Sequence, residues 1–403
     1  MKRIDIRMLD GNAAAAEAIK LARVEVVASY PITPQSPLVE RLSQMADTGE
    51  ADCTYVCMES EHSAISYCIG SQLTGVRAGT ATSSVGLALM HEVLGVAAGC
   101  RVPIVMPVVN RALVSPWSLW CDHQDTMAER DTGWIQFYAE NAQEVLDLMI
   151  LAYRIAEHNE VLLPVMVCMD GFFVSHSLQP VVVPDQTQID EFIGEYIPHN
   201  MHLNFNRPYF INNLTPPEEF TEMRFQQEQG FARAEQVIGQ VADLYLHKFG
   251  RSYGLLEAYK CENAEYIIVC LGSMAGTIKH VVNEKTAAGE RIGVVKVISF
   301  RPFPHEQLSE LLDSPNLAGI AVIDRSAGLG AAVGPLCLEV KATVKRNAIP
   351  VTNFVCGLGG RDISTGTVLN ILDEMKKNGS QSRKVWIDVK EHAMEIRSKG
   401  DRQ

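Results

Sequence analysis

The chain reads as a two-domain α/β protein whose first domain is a doubly wound parallel sheet. Three observations predict this. At 403 residues the chain is longer than one ordinary core accommodates. Apolar runs of strand length alternate with stretches of helical period, the pattern of parallel strands covered on both faces. Between about Pro180 and Pro217 the alternation stops, Pro and Asn accumulate without a sustained period, and then it resumes. The expected division is residues 1–250 and 251–403.

Taken in order, GNAAAAEAIKLARV (11–24) is a helix that Asn12 opens as N-cap, and VEVVAS (24–29) is a short buried strand. A Pro-punctuated loop leads to a helix over 37–46, the strand TYVCM (54–58) and a helix from Glu61 to about Thr74. Next come strand RAGTATS (77–83), helix GLALMHEVLGVAAG (86–99), strand PIVMPVVN (103–110), helix 141–159 and strand VLLPVMVCM (161–169). The break at 180–217 carries too many aromatics for a flexible linker and is read as an ordered connecting arm. A long helix, roughly Pro217 to Phe249, bridges to the second alternation. There, strands 266–273, 291–300, 318–324 and 351–357 are separated by helices 274–289, 305–312 and Ala331–Arg346. A helix over Thr365–Lys377 follows, and the charged stretch 386–403 is a docking or fraying tail.

Charge narrows the function classes. Lys plus Arg is 35 against 48 Asp plus Glu, a net charge of -13, and so acidic a surface repels phosphate backbones and anionic lipid heads. Neither nucleic acid nor a membrane surface is an expected partner. The first residues lack the apolar core of a signal peptide, and no run reaches the length of a spanning helix, so a cytoplasmic location is expected. The ten cysteines form no C-x-x-C pair, and most lie in apolar runs such as VMVCMDG and YIIVCLG. They read as reduced small hydrophobes, because clusters and structural zinc both need closely spaced pairs.

Four features fall at carboxyl ends of first-domain strands, where open parallel sheets bind ligands. In Tyr30-Pro31-Ile32-Thr33-Pro34 two prolines stiffen the loop and fix Thr33, whose hydroxyl suits a carboxylate or a heterocycle; a turn that merely stops the strand is the alternative. Glu59-Ser60-Glu61-His62 opens a helix. Either the two acids simply cap it, or Glu61 faces a cleft as a general acid/base group. Arg111, after Asn110, offers a forked donor to a carboxylate, or else sits in a surface ion pair. WSLWCDHQDTMAERD (117–131) gathers aromatics, acids and His123 in an aperiodic stretch. A metal held by Asp122, His123 and Asp125 fits no helical spacing, and a substrate-enclosing loop or a partner-contact surface is preferred.

Two glycine-bearing sites are discounted. Asp170-Gly171 lacks the preceding glycine of a magnesium–diphosphate motif, because Met169 stands there, and Asn212-Asn213 lies too far downstream. Gly328, Gly330 and Gly334 miss the spacing of a dinucleotide loop. Packing is the expected role of both.

The succession GN-x-A, YPITPQSP, ESEHSA, TATSSVGLALMHE, NRAL, CDHQD, RDTGWIQ and MDGFFVSH resembles the alpha subunit of the multi-subunit pyruvate:ferredoxin oxidoreductases of anaerobic metabolism. FRPFP, DRSAGLG and GLGGRD resemble the later part of the same subunit, so the likeness runs from about Gly11 to Asp388.

That resemblance implies a pyrimidine-type, thiamin-diphosphate-binding domain followed by a domain similar to the transketolase C-terminal domain. It places the Mg2+–diphosphate half of the cofactor site on the beta subunit, CoA binding on gamma, and [4Fe-4S] clusters on beta and delta, with ferredoxin as acceptor. It makes Glu61 the pyrimidine-binding glutamate, with Glu59 less favoured. Thr33 and Arg111 become the contacts to the substrate carboxylate and carbonyl, and Pro31 shapes their loop. Related oxalate-specific enzymes carry arginine at the position of Thr33, so pyruvate is the expected substrate. Another 2-oxoacid, 2-oxobutyrate or a branched-chain one, is the alternative. A non-catalytic scaffold would not require Thr33, Glu61 and Arg111 at three separate strand ends.

Overall fold

A computed structural model describes residues 5–199, 202–345, 349–378 and 384–390. Residues 1–257, 271–273 and 297–304 form one compact unit; 258–270, 274–296 and 305–403 form another.

The first unit starts with β1 (Asp5–Leu9), α1 (Gly11–Leu21), β2 (Val26–Ser29), α2 (Ser36–Asp47), β3 (Thr54–Cys57) and α3 (Glu61–Leu73). It continues with β4 (Ala78–Gly79), α4 (Ser84–Leu89), α5 (His91–Gly99), β5 (Val105–Asn110), α6 (Gln124–Ala128), β6 (Ile135–Ala139) and α7 (Ala142–Ala156). Then come β7 (Val165–Asp170), β8 (Gln179–Val183), α8 (Gln186–Ile193) and α9 (Pro217–Phe249). Parallel strands β3-β2-β4 meet the group β5-β7-β6 through one parallel bridge, Thr82 to Val108. The core of the unit lies around α7, where every residue except Gln143 and Arg154 is buried. Alanines at 14, 15, 16 and 18 keep α1 slim enough to lie close against α7.

Several local readings change. Asp10, not Asn12, caps α1 by accepting a hydrogen bond from the Ala13 N–H (2.8 Å), while Asn12 donates to the Pro34 carbonyl (3.0 Å). The helix expected over 86–99 is two, because the Met90 N–H is shared between the Gly86 and Leu87 carbonyls and tightens the turn. The strand expected over 77–83 keeps only Ala78–Gly79; the chain rejoins the sheet at Thr82, and Ser84 then takes φ 49° to open α4. The break after Pro180 holds real elements. β8 pairs antiparallel with β1, and a capping box of Asp185 with Gln188 starts α8.

The remaining elements are β9 (Leu256–Tyr259), β10 (Tyr266–Cys270), α10 (Met274–Ala287), β11 (Ile292–Val297), β12 (Ser299–Arg301), α11 (His305–Leu312), β13 (Gly319–Asp324), α12 (Pro335–Thr343), β14 (Val351–Val355), α13 (Thr365–Asn378) and β15 (Val385–Trp386). Strand β12 belongs to the first unit, antiparallel to β6. The second sheet runs β15-β14-β13-β10-β11-β9, with α10 against α13 and α11 against α12. Its glycine loop is closed by protein. Asp324 accepts from the Leu336 and Cys337 N–H groups, and a Cβ on Gly334 would lie 2.4 Å from that carboxyl. Residues 391–403 of the expected tail, and Arg346, lie outside the described residues. Among the described residues no helix is long and apolar enough to cross a membrane.

Candidate active site

In the first sheet the chain moves from β2 to β3 on one side, then to β4 and β5 on the other. Strand order reverses there, and open parallel sheets bind their ligands beyond the carboxyl ends of the strands at such a point. The loops leaving β2, β3, β4 and β5 there carry Thr33, Glu61, Thr82 with Gly86, and Arg111.

The capping reading of the two acids resolves onto a third residue. Ser60 is the N-cap of α3, its hydroxyl accepting from the Ser63 N–H (3.1 Å). Glu59 is exposed, and the hydrogen bond from Ser63 Oγ (2.7 Å) holds its carboxyl below the usual range. Glu61 is only 6% exposed and lies over α4. A Cβ on Gly86 would fall 2.5 Å from Glu61 Oε1 and 2.6 Å from Thr82 Oγ1, so the absence of a side chain at position 86 is what admits the carboxylate.

Arg111 and Thr33 meet, through backbone rather than hydroxyl. Arg111 Nη1 donates to the Thr33 carbonyl (2.7 Å). The guanidinium is 5% exposed. Burial pulls its pKa down, and the charges of Asp125 and Glu61 push it back up. Thr33 and Pro31 lie on the exposed rim of the loop. Gly171 supports that loop by close approach: a Cβ there would meet the Asn110 carbonyl at 2.4 Å and Pro34 Cγ at 2.9 Å.

The acids of CDHQD do not converge with His123. Asp122 accepts from the Gln124 N–H (3.0 Å), and the His123 ring pairs through Nε2 with Asp170 Oδ1 (2.6 Å). Asp170 also accepts from the Ser273 N–H (3.1 Å) and hydroxyl. Asp125 turns to the backbone, taking N–H groups from Ser84, Arg111 and Thr126. Trp117 and Trp120 stand 77% and 54% exposed.

Buried polar atoms without a hydrogen-bond partner among the described residues collect along the same loops: the hydroxyls of Thr80, Thr82 and Ser83, Asn110 Oδ1 and Arg111 Nε. Such atoms are costly unless a ligand or water completes them. A heteroaromatic ring with its own donors and acceptors fits that inventory. The aminopyrimidine of thiamin diphosphate is such a ring.

Comparison with known proteins agrees with this geometry. Residues 17–243 match the thiamine diP-binding domain of pyruvate flavodoxin/ferredoxin oxidoreductase, and 264–368 match pyruvate:ferredoxin oxidoreductase core domain II. The chain is 46% identical to pyruvate synthase subunit PorA of Methanocaldococcus jannaschii, over 96% of this chain and 99% of that one. It is 42% identical to ketoisovalerate oxidoreductase subunit VorA of Pyrococcus abyssi, over 95% and 98%. Its fold is shared, at TM-score 0.71 and 19% identity, with 2-oxoglutarate:ferredoxin oxidoreductase from Magnetococcus marinus; the match covers 93% of this chain and 66% of that longer chain. A buried acid at a strand end, the unpartnered Thr82 hydroxyl beside it and 46% identity over nearly the whole chain lead to one assignment: the chain belongs to the pyruvate flavodoxin/ferredoxin oxidoreductase family.

Proposed function

We propose that this chain is the alpha subunit of a cytoplasmic pyruvate:ferredoxin oxidoreductase, and that it supplies the pyrimidine-activating and substrate-binding half of a thiamin diphosphate site. The observation that carries the reading is the buried Glu61 carboxylate, set over Gly86 with the Thr82 hydroxyl, which has no hydrogen-bond partner among the described residues. Bound thiamin diphosphate supplies the electron sink that lets a 2-oxoacid lose carbon dioxide.

The residues of this chain do the rest of the positioning. Glu61 holds a proton in exchange with a ring nitrogen placed against it. Arg111 keeps Nη1 on the Thr33 carbonyl, which fixes the loop shaped by Pro31, and its Nε, without a partner among the described residues, is left for a substrate carboxylate. Thr33, on the rim, orients the carbonyl for attack. Overall, pyruvate and CoA become acetyl-CoA and carbon dioxide, with two electrons passed to ferredoxin.

A beta subunit carrying the Mg2+–diphosphate half, gamma binding CoA, and beta and delta carrying [4Fe-4S] clusters complete the reading. Two features support that division. Asp170 is already engaged by His123 and Ser273. None of the ten cysteines is joined in a disulfide, and seven are buried.

The 42% identity to a ketoisovalerate oxidoreductase subunit favours a branched-chain 2-oxoacid as the second reading. Steady-state rates of the purified complex, with pyruvate against 3-methyl-2-oxobutanoate, decide between them. We expect kcat/KM to favour pyruvate by roughly 10- to 200-fold, the range that small apolar differences in a pocket produce. A ratio near one, or reversed, overturns the assignment to pyruvate.

A further inference from the structure

We infer that Asp125 is a positioning residue of this active site, one buried carboxylate that locks the Arg111 wall to the Gly86 wall through backbone N–H groups on both. The inference rests on the reading that Glu61 and Arg111 serve the reaction.

The geometry is specific. Asp125 Oδ2 accepts from the Ser84 N–H and from the Arg111 N–H, each at 3.0 Å. Oδ1 accepts from Asn110 Nδ2 (2.8 Å) and from the Thr126 N–H (2.8 Å). Ser84 is the residue with φ 49° that opens α4, two positions before the Gly86 on which Glu61 lies. Its hydroxyl donates to the Ala112 carbonyl (2.6 Å), a second tie between the same two loops. A serine held at positive φ is strained and persists only where surroundings over-determine it. Asp125 supplies that constraint, and the same oxygen sets the backbone from which the Arg111 side chain departs.

The lock depends on charge. An ionised carboxylate accepts on both oxygens, whereas a protonated one carries an O–H that must displace one of the N–H donors. Burial raises the Asp125 carboxyl to about 6, even against those donors, and Asp122 adds to the rise. The groups facing it from other elements are Arg111 at the end of β5, Tyr138 on β6 and Cys168 on β7, and Asp170 on β7 in turn faces Tyr138 and Cys168. Burial keeps Tyr138 and Cys168 neutral at any ordinary pH. Because the folded value is raised above the ordinary 3.8, this group favours the folded state more as pH falls through about 6. Loss of activity in that window is therefore not unfolding driven by Asp125.

The test uses the assembled complex, with kcat/KM for pyruvate measured from pH 5 to 8 for wild type, Asp125→Asn and Glu61→Gln. Asparagine fits the space, and the unpartnered Asn110 Oδ1 can swing to accept its amide, so the variant should assemble. We expect wild type to lose activity as pH falls through about 6. Asp125→Asn should be roughly ten- to a hundredfold slower at pH 8, the scale of a small misplacement of reacting groups, with no limb near that value. An Asp125→Asn complex that keeps the wild-type limb overturns the inference. If that variant does not assemble, the wild-type profile decides, and a flat profile from pH 5 to 8 overturns it equally. Should Glu61→Gln keep full activity, it is the underlying reading of the site that falls, an outcome distinct from either of these.

Discussion

Replacing Glu61 with glutamine is expected to lower pyruvate-dependent reduction of ferredoxin by roughly 10²- to 10⁴-fold, the usual contribution of a positioned acid/base group. The substitution preserves shape and removes only the ability to exchange a proton. The carboxylate occupies the space that Gly86 leaves open, and the amide is isosteric with it, so neither α3 nor α4 needs to move. Size-exclusion chromatography of the complex should therefore be unchanged while turnover collapses. Glu59→Gln is the matched control. Its carboxyl is exposed and its bonds, to Ser63 Oγ and its own backbone, stay within its own turn, so activity should stay within about twofold, as for surface changes away from such features. Normal turnover in Glu61→Gln would return the chain to the role of a non-catalytic scaffold.

How much of this was legible beforehand depended on whether a signal was local. The helix over Pro217–Phe249 was readable end to end, because it opens at a proline and closes on Gly250 with φ 74°. The strand ends carrying Thr33, Glu61 and Arg111 were readable from alternation alone. What stayed hidden was settled at long range. β8 exists because β1, more than 170 residues earlier, offers it an edge, and no window around 179–183 contains that partner. β6 was missed because Gln136 interrupts its apolar run, and only the fold shows that side chain donating to the Thr126 carbonyl (3.0 Å). Asn12 looked like a cap because capping residues are interchangeable on paper; three-dimensional contact with Pro34 drew it inward and left the task to Asp10. In the sequence Asp125 stands with Asp122 and His123 as a metal candidate whose spacing fits no helical pair. Its four N–H donors come from residues 84, 110, 111 and 126, a convergence that sequence spacing does not encode.

Asp147→Ala is expected to be the most destabilising single change in the first unit. The residue lies on α7 with no exposed surface, in the layer that packs against α1, β7 and α9. Its Oδ1 accepts from Tyr245 OH (2.6 Å), Arg251 Nη2 (3.0 Å) and Gln143 Nε2 (3.1 Å). Oδ2 accepts from Arg251 Nε (2.6 Å) and Tyr253 OH (2.9 Å). Removing the carboxylate leaves the Arg251 charge and two tyrosine hydroxyls without their acceptor, and breaking a buried pair from one side costs about 3–5 kcal/mol. For a unit of this size that corresponds to a drop of about 10 °C in apparent Tm, read by differential scanning calorimetry at fixed scan rate. Arg251→Met in the same background separates the two contributions. If the stranded guanidinium carries the penalty, the double variant recovers part of the loss, whereas additive losses would put the cost in the tyrosine hydroxyls instead. The Arg251 guanidinium is held above its ordinary pKa beside this carboxylate despite burial, so it stays charged at every accessible pH and its compensation cannot be titrated away.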